Sequence, residues 1–119
     1  MKENIILVKT FEFSVEVSKL VVLLRKKGDS IISKQLLRSA TSIGANVQEA
    51  TAAISKKDFI LKMSIASKEA RESAYWIRLL NTSKYVDLDY TSYLELNDEL
   101  IKILTAILKT AQSNQNARK

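Results

Sequence analysis

The stretch LLRSATSIGANVQEATAAI, from Leu36 to Ile54, holds a glycine, several hydroxyls and an asparagine, all weaker helix formers than alanine. Its apolar residues nevertheless keep a helical rhythm. Leu36, Ala40, Ile43, Val47, Ala50 and Ile54 step by 4, 3, 4, 3 and 4, the spacing of a seam that faces another helix. Beside the seam runs a polar strip, Arg38, Ser42, Asn46 and Glu49. The small residues Ser39, Ala40, Ser42, Gly44 and Ala45 would let a second backbone come close. Two readings of the strip stand together. In one, Asn46 and Glu49 form a hydrogen-bonded group that sets helix register; in the other, the strip lines a small-ligand or nucleic-acid site. No phosphate-binding glycine pattern surrounds Gly44.

Working outward, Ser55 followed by Asp58 has the form of a capping box, which predicts a break and then a third helix over 56–81. Its seam, Phe59, Met63, Ala66, Ala70, Ser73, Ile77 and Leu80, again alternates 4 and 3. Upstream, a first helix is expected over 5–27, starting at Ile5 or Thr10 and ending before Gly28. Two apolar sets lie on it: Phe11, Val15 and Val22, and Phe13, Val17, Leu20 and Leu24. That is wider than a helix with one wet face needs, so cover is expected on both sides. Asp29, Ser30 or Ser33 can cap the second helix over 31–53. Asp87 or Asp89 can cap a fourth over 89–112, with Tyr93, Leu100, Leu104, Ile107 and Ala111 inward and a frayed tail SNQNARK. The expected fold is all-α: a single domain, residues 1–119, forming an antiparallel, up-down, left-handed four-helix bundle.

Composition agrees with helices and removes much chemistry. Proline is absent, only Gly28 and Gly44 occur and no Asn-Gly or Asp-Gly pair is present, which disfavours β-hairpins; cysteine and histidine are also absent, so thiolates, disulfides, zinc sites and imidazole bases have no residues to build them. A di-metal carboxylate bundle would need histidines beside its glutamates. The carboxylates Glu12, Glu16, Glu69, Glu72, Glu95, Asp98 and Glu99 lie mostly off the seams and read as a solvated face. No enzymatic activity and no cofactor are expected. The N-terminal apolar run Ile5–Val8 is too short for a signal-peptide core or a membrane span, which predicts a soluble cytoplasmic protein.

The net charge is +6, and it is unevenly placed. Residues 1–80 hold 14 Lys/Arg against 8 Asp/Glu, while residues 81–119 hold 5 against 5. An anionic partner, RNA or DNA first, is worth testing. The candidate phosphate contacts are Lys34 and Arg38 on the second helix and Lys56, Lys57, Lys62, Lys68, Arg71 and Arg78 on the third. Local pairing such as Lys68 with Glu72 is the plainer reading of the same charges. Tyr75 and Trp76, beside Arg71 and Arg78, can stack on bases or fill a helix or subunit interface.

The run SKQLLRSATSIGANVQEA (Ser33–Ala50), followed by SKKDFILKMSIASKEARESAYWIRLL (Ser55–Leu80), resembles the four-helix proteins known as 23S rRNA intervening-sequence proteins. The resemblance rests on Gln35, Leu36, Ser42, Ile43, Ala45, Asn46, Glu49, Phe59, Ala66, Lys68, Glu69, Tyr75 and Trp76. It covers residues 4–113. Many members have proline where this chain has Gly44, and glycine where it has Ala50. The resemblance implies a bundle that assembles into a ring-like homopentamer, often encoded within or beside insertions in ribosomal RNA genes. It is also similar to accessory proteins of diversity-generating retroelements, which partner a reverse transcriptase and bind nucleic acid through basic surfaces. No enzymatic activity is established for the family. The expected function is a non-enzymatic oligomeric module that binds RNA weakly through basic surfaces. The alternative is a structural or protein-partner adaptor that binds no nucleic acid.

Overall fold

The computed structural model describes residues 2–117 and contains four helices: α1 (Lys2–Lys26), α2 (Ile31–Ala50), α3 (Lys56–Ser83) and α4 (Thr91–Ala117). Each boundary has a local cause. At the end of α1, Gly28 N–H donates to Arg25 O at 3.0 Å and Asp29 N–H to Leu24 O at 3.0 Å. This is a Schellman closure whose αL position is Gly28, at φ +100°. Asp29 then turns its carboxylate to the start of α2, accepting from Ile31 N–H at 3.3 Å, Ile32 N–H at 3.1 Å and Ser33 N–H at 2.7 Å. Of the three expected caps, Asp29 does the work. It is 1% exposed, so the otherwise unpaired amides and the buried carboxylate satisfy one another.

Ser55 Oγ accepts from Asp58 N–H at 3.0 Å, as the capping-box spacing predicted. The reciprocal bond shifts by one residue, since Asp58 Oδ2 accepts from Ile54 N–H at 3.2 Å. Because α2 stops at Ala50, Ile54 falls in the turn and is 94% exposed, which corrects its place on the second seam. Asp89 Oδ1 accepts from Thr91 N–H at 3.0 Å and caps α4. The fourth helix runs on through Ala117 rather than fraying after residue 112; Arg118 and Lys119 lie outside the described residues.

The remaining seam residues turn inward. Leu36, Ala40, Ile43, Val47 and Ala50 of α2 meet Met63, Ala66, Ala70, Ser73, Ile77 and Leu80 of α3, all buried. Burial of such side chains contributes about 1.5–3 kcal/mol each for the larger ones. Leu100 and Leu104 of α4 and Ile6, Phe13, Val17, Leu20 and Leu24 of α1 complete the core. Ser39 and Ser73 share a hydrogen bond at 2.8 Å, and Glu49 pairs with Lys62 at 3.2 Å, so α2 and α3 run in opposite directions. Gly44 lies against Thr10, and Ser14 donates to Ala40 O at 3.4 Å, so α1 and α2 do too. α4 packs on α3 and on α1, placing α1 and α3 at opposite corners of a rod 52 × 23 × 23 Å.

Of the two apolar sets on α1, only one is covered within the chain. Phe13, Val17, Leu20 and Leu24 are buried, whereas Phe11 is 71% exposed, Val22 55% and Val15 38%. The exposed set continues to Val8 at 56%.

α2 passes through Gly44 without interruption. A Cβ placed at Gly44 would lie 3.5 Å from both Ser14 Oγ and Thr10 O, an ordinary contact distance. We therefore expect Gly44→Ala to raise stability by about 0.5–1 kcal/mol through the entropy glycine loses on folding. Gly44→Leu should destabilise, because a longer side chain would push α1 away. Urea midpoints decide the matter, and a lower midpoint for Gly44→Ala would contradict it.

Candidate nucleic-acid interface

The residues singled out in the sequence separate into a paired group between α2 and α3 and an unpaired group on the outside of α3. Arg38 bridges the two helices. Its guanidinium donates to Glu69 Oε2 at 2.8 Å and to Glu72, and both carboxylates hold the arginine charged, Glu72 the more strongly. Glu72 also accepts from Trp76 Nε1–H at 3.1 Å. That bond, followed by Arg38, holds the Glu72 carboxyl below the ordinary carboxylate range. Glu69 is 7% exposed, which corrects its expected place on a solvated face. The expected local pair of Lys68 with Glu72 is replaced by this cross-helix cluster; Lys68 influences Glu72 only through space.

The polar strip on α2 also differs from expectation. Asn46 Nδ2 donates to Ser42 O at 2.9 Å and to Ser42 Oγ at 3.1 Å. Glu49 turns to Lys62 instead, so no Asn46–Glu49 group forms. Ser42 and Asn46 satisfy each other within one turn, and Gly44 faces α1. Arg38 and Glu49 at the ends of the strip thus both reach α3, while Ser42 and Asn46 between them bond within α2. An apolar recess lined by Val47, Phe59, Met63 and Ile107 measures about 10 Å³, too small for a ligand. Among the described residues no three Asp or Glu side chains converge as a cation site, and no helix is long and apolar enough to cross a membrane.

The basic residues left outside these pairs are Lys34 on α2 and Lys56, Lys57, Lys68, Arg71 and Arg78 on α3. All six are exposed and none has an ion-pair partner among the described residues. With 3.6 residues per turn, Lys57, Lys68, Arg71 and Arg78 fall within roughly a 90° arc and span about 32 Å. The three acids of α3 are all turned away from that arc: Asp58 is in the helix cap, and Glu69 and Glu72 hold Arg38. The outer face of α3 is consequently cationic along its length. Leu61, Tyr75 and Leu79 lie on the same face, 55%, 56% and 36% exposed.

Sequence reasoning passed over Asn97. This residue lies on the α4 seam, four after Tyr93 and three before Leu100, so its spacing could have found it. It is 1% exposed, its Nδ2 donates to Ala70 O at 3.0 Å, and its Oδ1 has no partner.

The chain matches no curated protein sequence. It is similar to the crystal structure of a protein of unknown function from the S23 ribosomal protein family of Bacteroides thetaiotaomicron. That protein is 42% identical, the match covers 92% of this chain and 99% of the other, and the TM-score is 0.86. The family model described as 23S rRNA-intervening sequence protein matches residues 2–106. The family match over most of the chain and the likeness of the whole fold agree, and the chain belongs to the 23S rRNA-intervening sequence protein family.

Proposed function

We propose that this protein is a non-enzymatic, self-associating cytoplasmic bundle that binds nucleic acid, RNA first, weakly and with little sequence preference. The observation that carries the reading is the outer face of α3, where Lys57, Lys68, Arg71 and Arg78 stand free of the helix's own acids. Binding proceeds by phosphate neutralisation and counterion release. Arg38 and Lys62 contribute little, since each is matched to carboxylates.

The test is fluorescence anisotropy at low salt with a structured RNA, a single strand and a duplex. Reversing Lys57, Lys68, Arg71 and Arg78 to Glu should weaken binding by more than about 100-fold and flatten the salt slope by about 3, at 0.7–0.9 per lost phosphate contact. Reversing Lys26, Lys27, Lys102 and Lys109 changes the net charge equally and should cost much less. Equal losses would show that total charge, not the α3 face, governs binding. If none of the three nucleic acids binds, the reading fails and a protein-partner adaptor takes its place.

Self-association is the second part of the proposal. Val8, Phe11, Val15 and Val22 lie on one side of α1 at coiled-coil spacing, and a helix face this apolar suits packing against another copy. The resemblance to the family implies five copies. Light scattering should give a multiple of 13.4 kDa for the wild type and a monomer for Phe11→Glu/Val15→Glu with helicity unchanged. A wild-type monomer at micromolar concentration would refute it.

A further inference from the structure

Resting on the nucleic-acid reading above, we infer that Tyr75 is a stacking platform for an unpaired base, so that the α3 face selects single-stranded over duplex nucleic acid. Tyr75 is four residues after Arg71 and three before Arg78, which puts both cations on its own side of the helix. Over half of the residue, 56%, is open to solvent. Its ring is nonetheless held in place. The Trp76 ring packs edge-to-face against it, with centroids 5.2 Å apart and planes at 76°. Trp76 is in turn fixed by its hydrogen bond to Glu72 and by packing on the core. A ring already ordered loses little freedom when a base settles on it.

The surroundings decide what kind of partner the ring suits. Phe11, the other strongly exposed ring within a helix, stands among valines on α1, as an apolar contact between chains requires. Tyr75 stands between Arg71 and Arg78, with Lys68 about two turns away on the same face, and a second copy presenting the same face would meet like charge. A polyanion meets opposite charge there. In a duplex the base faces are covered by their neighbours, whereas a single strand can splay a base onto an aromatic ring while its phosphates reach the flanking cations.

The experiment uses the full chain at low salt with a short oligouridine and an RNA duplex of equal phosphate number. Wild type should prefer the single strand. Tyr75→Ala should lose about 5- to 150-fold in single-strand affinity, the range for one stacked base, while duplex affinity is unchanged; Tyr75→Phe, which keeps the ring, should retain the preference. Equal loss for both nucleic acids, or no loss for either, would overturn the inference while leaving phosphate binding intact. Altered light-scattering mass for Tyr75→Ala would also overturn it, by placing the ring in a subunit contact. Should wild type bind neither nucleic acid, this inference and the reading beneath it fall together.

Discussion

Phe13→Ala is expected to destabilise the bundle by about 3–5 kcal/mol, as large-to-small core substitutions do. The reason is the level of the bundle at which Phe13 sits. Ser14 reaches Ala40, Ser39 meets Ser73, and Asn97 reaches Ala70, so the four helices are tied together here by residues that are mostly small. The inward residues from α2 and α3 are Ala40, Ala70, Ser39 and Ser73, all 0% exposed. Phe13, next to Ser14 and also 0% exposed, is a large side chain set beside these small ones. Small neighbours cannot extend to refill the space, and moving the helices together would break the serine and asparagine bonds. For a domain whose total stability is about 5–15 kcal/mol, the loss should lower the melting temperature by more than about 10 °C. A calorimetric shift below a few degrees would mean that the helices collapse into the gap.

The second large effect is expected from Asn97→Asp. In the folded protein the side-chain amide donates to Ala70 O, and the whole residue is buried. A carboxylate there faces a carbonyl oxygen in place of receiving a proton, and burial also disfavours its charge, so its folded pKa rises above the unfolded value of about 3.9. A raised folded pKa means that the protonated form retains its contribution below about pH 4 and that stability is lost as pH rises through the folded pKa. The difference between wild type and variant should therefore be small near pH 4. It should grow by about 1.4 kcal/mol per pH unit to about 3–5 kcal/mol at neutral pH. Urea denaturation of both proteins from pH 4 to 8 measures this, and a pH-independent difference would show that the carboxylate reaches water.

Much of the fold was legible because helices declare themselves locally. The 4-and-3 spacing from Leu36 to Ala50 and from Met63 to Leu80 survives in the buried rows, and Gly28, Asp29, Ser55 and Asp89 act at the helix ends as their chemistry requires. The misreadings have physical causes. Ile54 fits the period but lies beyond the last turn of α2. Asn97 also fits the period and is easily passed over as polar, since burial of an asparagine needs a partner that only α3 supplies. Glu69 looked solvated because no cation lies one helical turn from it, at residues 65, 66, 72 or 73, to neutralise it.

The candidate interface was half legible in the same sense. All the basic residues could be named, but which of them remain available could not. Arg38 is 31 residues from Glu69 and 34 from Glu72, and Lys62 is 13 from Glu49. Such pairs depend on how far α2 and α3 slide past each other, a quantity set by packing of the small seam residues rather than by either helix alone.

By itself, then, the amino-acid sequence determined the number of helices, the candidates for their caps, the inward seams of α2 and α3 and the family, because hydrogen-bonding chemistry at helix ends and the 3.6-residue period act over a few neighbouring residues. The tertiary structure alone decided which charges cancel, which apolar side of α1 stays uncovered and which aromatic ring stands in solvent among cations. Those outcomes depend on distances between residues on different helices, and such distances exist only once the four seams have closed on one core.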